Sequence, residues 1–475
     1  MGSEMRPLLL LPEMLLFVGG LVVLLGGSFL PRQRQWLTRV VAALALLGSI
    51  AAAAVALAAP PMSAFEGTFA VDTGTGVARI VAAAGTLLVL ALASDEVAGS
   101  PRESETYALL LFSTTGALVL AGAQDLLVLA GGFLLASIPL YALVGLARSP
   151  RGAEAAMKTY LMGALVGIVL LLGVTILYAV AGSTLYVDLS ATLAGVPPTA
   201  VAAGLLGVLA GLMFEAGGVP AHFWVPDAAQ GSSGMVAAFL TTVPKIGALV
   251  AAYRLVLAMP GTVAWSLLVG LLAVTSMTLG NLAAYGQTDP RRLLGWSTVS
   301  QVGFLLVPVA VAGQTRMALP SLLFYLTGYT VTNVAAFAVA AALPARRDLA
   351  AYGGLSRERP WLAAALVVSL LGLVGTPPTA VFVGKLTTAT AAWDGGMAWL
   401  AVVVLANTLI SLFYYLRWIV PAYRSGDRGG NAEAGGVEAA MPWSTRTAVA
   451  AATLSVALGI AGGLVWQVAD GLLIR

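Results

Sequence analysis

Residues 214–227 read FEAGGVPAHFWVPD and decide the fold, because they interrupt a long apolar segment. Residues 373–379 read LVGTPPT and interrupt another such segment, shortly before Gly384 and Lys385. Proline lacks an amide donor and clashes with the preceding turn, so backbone carbonyls lose partners at both places. Such backbone is tolerated at membrane depth only where it is buried in protein or lines a hydrated cavity. The two stretches predict two broken helices at a transport site.

The composition around these stretches is that of a membrane protein. Of the 475 residues, 59% are hydrophobic and 9% are charged, whereas soluble domains are nearer ~45–50% apolar and ~25% charged. The chain has no cysteine and a single histidine, His222. Disulfides, iron–sulfur clusters and a bis-histidine haem are therefore excluded, and a zinc site is disfavoured. We expect no catalytic residue, metal or cofactor bound by this chain.

A membrane-spanning helix needs about 20 apolar residues, and the apolar segments predict an all-α polytopic membrane protein of about 14 transmembrane helices. The last connection, residues 425–441, is Gly-rich and is predicted to be a linker, and residues 59–76 form a small loop that could be a hairpin. The predicted spans are residues 8–30, 36–59, 76–94, 105–122, 125–147, 157–182, 199–222, 235–258, 263–285, 292–312, 318–342, 361–391, 397–421 and 446–468.

Arginines cluster in alternate connections, and positive charge in loops sets membrane orientation. The other connections hold mainly Glu66, Asp72, Asp188, Arg316 and Asp394. This asymmetry predicts that both termini lie outside and that the arginine-rich loops are cytoplasmic. The arginine-rich connections contain Arg32, Arg34 and Arg39; Arg102; Arg148 and Arg151; Arg291 and Arg292; Arg346, Arg347, Arg357 and Arg359; Arg424, Arg428 and Arg446.

The positions of the lysines indicate ion transport. The chain has three lysines, Lys158, Lys245 and Lys385, each inside or at the edge of an apolar run, and all its other cationic residues are arginines except for His222. Arginine stays charged in proteins, whereas a buried lysine can release its proton. Ionisable residues in membrane spans mark ion or proton paths. We therefore predict a proton carrier built around titratable lysines, with the buried Glu215 as an acid partner.

These assignments have plainer alternatives. A proline kink often has only a packing role, although the charge beside each break favours a function. Lys158 begins the sixth span and could be an interfacial lysine whose amine reaches water. We expect His222 to stabilise the broken turn rather than bind a ligand, and Asp125, Asp227 and Arg254 to have structural roles.

Several motifs resemble those of one family. Residues 220–227 (PAHFWVPD), 238–240 (AFL) and 244–245 (PK) resemble the "PFHxWxPD…AFL…PK" signature of antiporter-like subunits of respiratory complex I and multisubunit cation/proton antiporters. The resemblance runs from about Tyr107 to Tyr423 and in detail is closest to the subunit N family of the bacterial NADH:quinone oxidoreductase. Further matches lie at residues 281–284, 291–297, 325–337, 375–378, 382–385 and 407–417.

The resemblance implies two inverted five-helix repeats, spans 4–8 and 9–13, joined by a hydrated chain of charged residues at mid-membrane. On that pattern Lys158, Lys245 and Lys385 match the lysines of the sixth, eighth and twelfth helices. It also implies one module of a complex that passes electrons from NADH or ferredoxin to quinone. The expected units are residues 1–104 (N-terminal three-helix segment), 105–258 (first repeat), 259–424 (second repeat) and 425–475 (linker and last helix).

Two positions depart from the family pattern. The family has a glutamate in the fifth helix where this chain has Leu134, and a lysine before the first break where this chain has Glu215. We hypothesise that Glu215 serves as the counter-ion of Lys158 or Lys245, which keeps one acid–base pair on another helix. The rival hypothesis is that the first half no longer pumps.

The predicted function is a proton-translocating membrane-arm subunit of a complex I-like quinone oxidoreductase, working with other membrane-arm subunits and membrane lipid and not with nucleic acid. One alternative is a Mrp-type cation/proton antiporter subunit, but sodium sites prefer carboxylates and carbonyls, and acids are scarce in these spans. The other alternative is a non-pumping structural subunit of a partial complex. The predicted relay residues are Lys158, Glu215, Lys245 and Lys385, and the predicted supporting residues of the breaks are Pro220, His222, Pro377 and Pro378.

Overall fold

The computed structural model describes residues 5–424 and 439–474, so most of the predicted linker at residues 425–441 lies outside the described residues. The described chain is helical apart from one small hairpin and short turns. The helices are α1 (Leu11–Phe29), α2 (Trp36–Leu57), α3 (Thr73–Glu96), α4 (Glu103–Gly122), α5 (Leu126–Gly145), α6 (Pro150–Ala181), α7 (Tyr186–Thr192), α8 (Pro198–Ala216), α9 (Trp224–Gly231), α10 (Gly234–Leu240), α11 (Val243–Leu257), α12 (Trp265–Tyr285), α13 (Pro290–Ala310), α14 (Ala318–Ala342), α15 (Leu355–Glu358), α16 (Pro360–Val374), α17 (Ala380–Asp394), α18 (Ala398–Tyr423), α19 (Pro442–Ile460) and α20 (Gly462–Ala469).

The helix count agrees with an all-α polytopic membrane protein. Among the described residues, 12 helices are long and apolar enough to cross a membrane, and there are 13 if the bent pair α19 and α20 is one span. The predicted twelfth span, residues 361–391, consists of α16 and α17, which are each too short to be counted. The predicted last span is not straight, because α19 and α20 meet at an angle of 79°.

Short polar side chains fix where several helices begin. Asp72 accepts a hydrogen bond from the Thr75 amide at the start of α3, and Asp125 caps α5 through the amides of Leu127 and Val128. Such caps satisfy amides that have no partner inside the helix. The predicted hairpin is present between α2 and α3, where β1 (Met62–Ala64) pairs antiparallel with β2 (Phe69–Val71).

The centre of the molecule is formed by α10, α11, α13 and α14. The spanning segments of these helices are 94–100% buried inside the chain, whereas α1, α2 and α6 bury 33% or less of theirs. In a membrane, the apolar faces of the peripheral helices are free to meet lipid or other subunits. Side chains that point inward from α11, α13 and α14 are therefore shielded from both water and lipid.

Both predicted breaks have the same local form. Gly217 ends α8 with a φ of 79°, and Gly375 ends α16 with a φ of 91°. Each break also contains a cis peptide bond before Pro220 or Pro378. A third break, not expected from the sequence, lies at Thr241 and Thr242 between α10 and α11, just before Pro244.

Candidate functional site: buried lysines at helix breaks

Lys245 lies at the third helix break and is fully buried. It is in the first turn of α11, and its Nζ donates a 3.3 Å hydrogen bond to the carbonyl of Leu240, the last residue of α10. The Trp224 ring lies beneath the amine, with its centroid 5.9 Å from Nζ. A helix break leaves carbonyls without intrahelical donors, and the Lys245 amine supplies a donor to one of these carbonyls.

Glu215 is buried in the last turn of α8, near Lys245. Ser137 Oγ donates a 2.5 Å hydrogen bond to Glu215 Oε2, and the carboxylate and the Lys245 amine act on each other electrostatically. No ion pair within 4.0 Å joins the two among the described residues. Gly217, two residues after Glu215, lies against the amine, since a Cβ built there would be 3.1 Å from Lys245 Nζ.

The missing acid of the fifth helix is not replaced on α5 itself. Leu134 is 41% exposed and points away from the centre. Ser137 lies one turn further along α5 and is the residue that faces Glu215. Sequence reasoning missed Ser137, although its spacing of three residues from Leu134 indicates a neighbouring position on a helix.

Lys158 is not buried, which corrects the prediction of a shielded relay lysine. Its side chain is 47% exposed and forms ion pairs with Glu154 at 2.7 Å and Asp227 at 2.8 Å. Asp227 also accepts a bond from Arg292, so it ties α6, α9 and α13 together. The hypothesis that Glu215 is the counter-ion of Lys158 is wrong for this geometry, because these two nearer carboxylates hold the amine.

Lys385 lies at the second predicted break, on α17, and is 5% exposed. Its Nζ donates to the carbonyls of Leu373 and Val374, the last residues of α16, at 3.1 and 2.9 Å. The amine also lies 3.9 Å from the centroid of the Phe304 ring. The attraction between a cation and a ring face is larger in a desolvated site than at the surface. Sequence reasoning missed Phe304, which looked like an ordinary apolar residue.

Polar side chains of α13 and α14 lie between the two buried lysines. Tyr329 donates to the carbonyl of Thr241, the residue after the one that accepts from Lys245. At the other end, Gln301 Nε2 donates to the Leu373 carbonyl at 2.8 Å and Gln301 Oε1 accepts from Tyr325 at 2.6 Å. We call Tyr329, Tyr325 and Gln301 the central polar thread. The two tyrosines are one turn apart on α14, and at each end the lysine and the thread donate to backbone carbonyls rather than to each other.

A side branch leaves the central polar thread toward α12 and α18. Gln301 also bonds Tyr415, which bonds Ser297. The branch continues through Tyr414 to Asn281, which donates to the side chain of Asn407 at 3.0 Å. Buried polar groups are costly when unpaired, so the hydrogen bonds among these residues are needed to hold them inside.

The predicted supporting residues lie at the breaks. The His222 ring is buried and packs against Phe223 and Trp296, with centroid distances of 4.2 and 5.5 Å. Pro220 precedes it in the first break, and Pro377 and Pro378 form the second. Among the described residues no group of three or more His, Cys, Asp or Glu side chains could hold a metal ion.

A separate ion pair anchors the far end of the helix that carries Lys245. Arg254 on α11 bonds both carboxylate oxygens of Asp72, at 2.5 and 3.0 Å, and both side chains are buried. Burial disfavours the charge on Asp72, but Arg254 and the amides of Thr75 and Ile474 outweigh it and hold the pKa of this carboxyl below its usual value. The expected structural role of Arg254 agrees with this geometry.

Comparison with known proteins places the chain in one family. Residues 123–411 match the family model described as NADH:quinone oxidoreductase/Mrp antiporter, TM. NADH-quinone oxidoreductase subunit N of Mycobacterium sp. (strain JLS) is 67% identical, with 98% of each chain covered. NADH-quinone oxidoreductase subunit N 1 of Streptomyces griseus is 50% identical over 98% of each chain.

The solved structures agree. A chain of respiratory complex I from Thermus thermophilus has a TM-score of 0.81 and 30% identity, covering 97% of this chain and 100% of that one. A chain of the Mrp complex from Dietzia sp. has a TM-score of 0.82 over 98% of this chain and 96% of that one, but only 23% identity, so it shows the shared fold alone. The chain therefore belongs to the antiporter-like family of membrane subunits, in its NADH-quinone oxidoreductase subunit N branch.

Proposed function

We propose that the chain is a proton-translocating membrane-arm subunit of a complex I-like quinone oxidoreductase. The observation that carries the proposal is the pair of buried lysines, Lys245 and Lys385, each bonded to carbonyls at a helix break and separated by the central polar thread. A buried amine is costly when charged, so it binds and releases a proton as its surroundings change. Two such amines with polar groups between them have the parts that a relay requires.

The first half supplies an acid–base pair. When the Glu215 carboxylate is close to Lys245, it favours the charged amine, and when it withdraws, the amine gives up its proton. Ser137 holds one oxygen of Glu215, and the other oxygen is buried without a hydrogen-bond partner, so it is available to the amine. Gly217 lies against the amine, so movement at the first break changes the distance between the partners.

The proton then crosses to the second half along the central polar thread. Tyr329 and Tyr325 lie one helical turn, about 5.4 Å, apart along α14, a gap that one bridging water closes. Beyond Tyr325, Gln301 Nε2 and the Lys385 amine both donate to the Leu373 carbonyl, so a water beside these groups must carry the proton to or from the amine. Lys158 serves at the entrance, where Asp227 and Glu154 hold it near the surface of the chain.

The remaining assignments concern the setting of the chain. It works with other membrane-arm subunits in a multi-subunit assembly, and those partners use the quinone and the NADH or ferredoxin, none of which this chain binds. The arginine-rich ends face the cytoplasm of a bacterial plasma membrane and both termini lie outside, because basic loops stay on the cytoplasmic side. We divide the chain into the four units predicted from the sequence. The last helix of the second repeat then ends near Tyr423.

The test is proton transport by the reconstituted complex. We expect Lys245→Met and Lys385→Met each to reduce proton uptake per electron transferred by at least about tenfold, while the complex still assembles. Arg424→Met, which removes a cation from an exposed connection, is the control. Unchanged coupling in both lysine variants would favour the structural-subunit alternative, and transport that depends on sodium would favour the Mrp-type alternative.

A further inference from the structure

Four arginines line one cavity at the arginine-rich ends of the helices. The cavity has a volume of about 710 Å³ and lies between the end of α3, the α5–α6 and α9–α10 connections, the start of α13 and the end of α14. We call it the arginine cavity. Its cationic lining residues are Arg148, Arg151, Arg291 and Arg347.

Most of this positive charge has no ion pair within the described part of the chain. Arg148, Arg151 and Arg347 are exposed and take part in no ion pair there. Arg291 donates from Nη1 to the Ser232 carbonyl at 2.8 Å, and Arg347 is near enough to repel it. Arg291 is also attracted by Asp289 and Glu96, so the charge that has no ion pair among the described residues belongs to the three exposed arginines, and such a cluster indicates a place for an anion.

Two carboxylates also line the cavity, but both are engaged with backbone amides. Asp95 accepts bonds from the amides of Trp443 and Ser444 at the start of α19. Glu96 accepts from the Met235 amide at 3.1 Å and also attracts Arg291. Even with both acids charged, the four guanidinium groups leave an excess of two positive charges around the cavity.

A second cavity adjoins the first and differs in character. It has a volume of about 280 Å³ and shares Glu96, Ala147, Arg148 and Ser233 with the arginine cavity. Much of its remaining lining is apolar and includes Leu143 and Leu146. Arg102 and Thr106 also line it, so a cationic cavity lies beside one that is apolar in part, and this combination suits a ligand with a charged head and a hydrocarbon chain.

We propose that the arginine cavity binds the phosphate group of an anionic phospholipid, whose acyl chain enters the adjoining apolar cavity. Guanidinium groups bind phosphate oxygens through paired hydrogen bonds. Basic pockets between helices at a membrane surface recognise such headgroups. This site lies at the end of the helices, away from Lys245 and Lys385, and its occupancy stabilises the packing of α3, α10 and α14 around Glu96.

The experiment measures lipid retention by the full chain in its complex. The complex is delipidated in detergent and titrated with labelled phosphatidylglycerol or with phosphatidylcholine, each alone and with an excess of inorganic phosphate. Arg148→Gln/Arg347→Gln removes two exposed charges of the cavity. Arg32→Gln/Arg34→Gln is the matched control, since these arginines are also exposed on the arginine-rich side and lie outside the cavity.

We expect the cavity variant to bind phosphatidylglycerol about thirtyfold more weakly than the wild type and the control variant to lose severalfold at most. Phosphatidylcholine should bind weakly to all three. Inorganic phosphate that displaces the lipid only at high concentration supports a lipid headgroup as the source of the phosphate.

Three results would overturn the proposal. They are equal phosphatidylglycerol binding by the two double variants, binding of inorganic phosphate that is as tight as that of the lipid, and loss of a neighbouring subunit from the cavity variant with its lipid retained. The last result would assign the arginine cavity to a protein partner with acidic side chains.

Discussion

Both halves of the molecule hold a buried lysine amine at a helix break, but the groups around the two amines differ. Each has a lysine that donates to carbonyls at a helix break, Lys245 to one carbonyl at 3.3 Å and Lys385 to two at 2.9 and 3.1 Å. The first half adds a carboxylate, Glu215. Both amines also lie over an aromatic ring, Lys245 at 5.9 Å from the centroid of Trp224 and Lys385 closer, at 3.9 Å from that of Phe304. A break that supplies carbonyls can thus hold an amine with or without a full counter-charge.

This difference indicates that the two lysines have different roles in proton transfer. A carboxylate that moves relative to an amine changes the amine's proton affinity strongly, because full charges interact over longer distances than dipoles do. A ring and two carbonyls form a fixed environment. We infer that Lys245 is the site where proton affinity switches and that Lys385 is the site with a steadier affinity.

Replacing Glu215 should have the largest effect on this contrast. Glu215→Gln keeps the shape and the hydrogen bond with Ser137 but removes the charge that acts on Lys245. We expect proton uptake per electron in proteoliposomes to fall by at least about tenfold. Glu103→Gln, at a buried glutamate bonded to Tyr107, is the control. Normal pumping by Glu215→Gln would contradict the counter-ion role of Glu215 and the inference that Lys245 and Lys385 have different roles.

The anchor of α11 gives a second test, because among the described residues α17 has no matching buried ion pair. Asp72→Asn leaves Arg254 buried without its counter-ion, which should cost about 3–5 kcal/mol of stability. Thermal unfolding of the purified protein measures this loss, with Asp394→Asn, at an exposed aspartate, as control.

The same anchor predicts a pH dependence. Because the folded-state pKa of Asp72 is lowered, its contribution is fully present above the unfolded value of about 3.9 and is lost as pH falls through the folded value. The wild type should therefore keep a constant unfolding temperature from pH 7 to about 5 and lose stability below about 4, and Asp72→Asn should lose less over that range. A parallel decline in both proteins would contradict this assignment.

The glycines of the breaks provide a third and smaller test. Gly217 and Gly375 both have left-handed backbones, in which an alanine costs about 1–2 kcal/mol. An added Cβ at Gly217 would lie 2.7 Å from Val225 and 3.1 Å from the Lys245 amine, whereas at Gly375 it would lie 3.0 Å from the flexible Lys385 stem. We expect Gly217→Ala to lower the unfolding temperature and the coupling more than Gly375→Ala does.

Gly182→Ala is the control for these two variants. Gly182 also has a left-handed backbone, with a φ of 75°, but no atom lies within 4 Å of an added Cβ. Gly182→Ala should lose only the stability that a left-handed backbone costs an alanine, and proton transport should be unchanged. If all three variants have the same unfolding temperature and the same coupling, the contacts of the break glycines with the lysines do not contribute to proton transport.

Removing the ring beneath Lys385 should have the smallest effect. Phe304→Leu keeps an apolar side chain but removes an attraction worth about 0.5–2 kcal/mol. We expect a two- to fivefold fall in proton uptake, measured as for Glu215→Gln. Phe112→Leu removes a partly buried ring that packs against Phe17 of α1, outside both lysine sites, and serves as control. An equal loss in both variants would indicate packing rather than interaction with the amine.

The sequence predicted the elements with strong local signals. Hydropathy identified the spans, and proline beside glycine identified the breaks at Gly217 and Gly375. The break at Thr241 and Thr242 was missed because its proline, Pro244, follows the interruption without a glycine beside it and because the apolar run continues on both sides. Periodicity also cannot distinguish a continuous buried helix from two short ones that meet end to end.

The site was predicted less completely, for reasons of three-dimensional packing. Lys245 and Lys385 are buried as expected, but the exposure of Lys158 depends on how α6 lies at the edge of the bundle. Ser137 and Gln301 become partners of Glu215 and of the second break only when α5, α8, α13 and α16 meet. Such contacts join residues distant in sequence, and spacing along one helix does not reveal them.

The carbonyls that receive Lys245 and Lys385 have one further consequence. An ammonium group has three N–H donors and a positive charge, whereas a neutral amine has two N–H donors and no charge. Each time the proton leaves, the hydrogen bonds that the carbonyls of Leu240, or of Leu373 and Val374, accept from the amine lose their charge assistance and weaken. Their amide vibrations should therefore shift in step with turnover, so isotope-edited infrared spectroscopy of these peptide groups could time proton occupancy at each lysine directly.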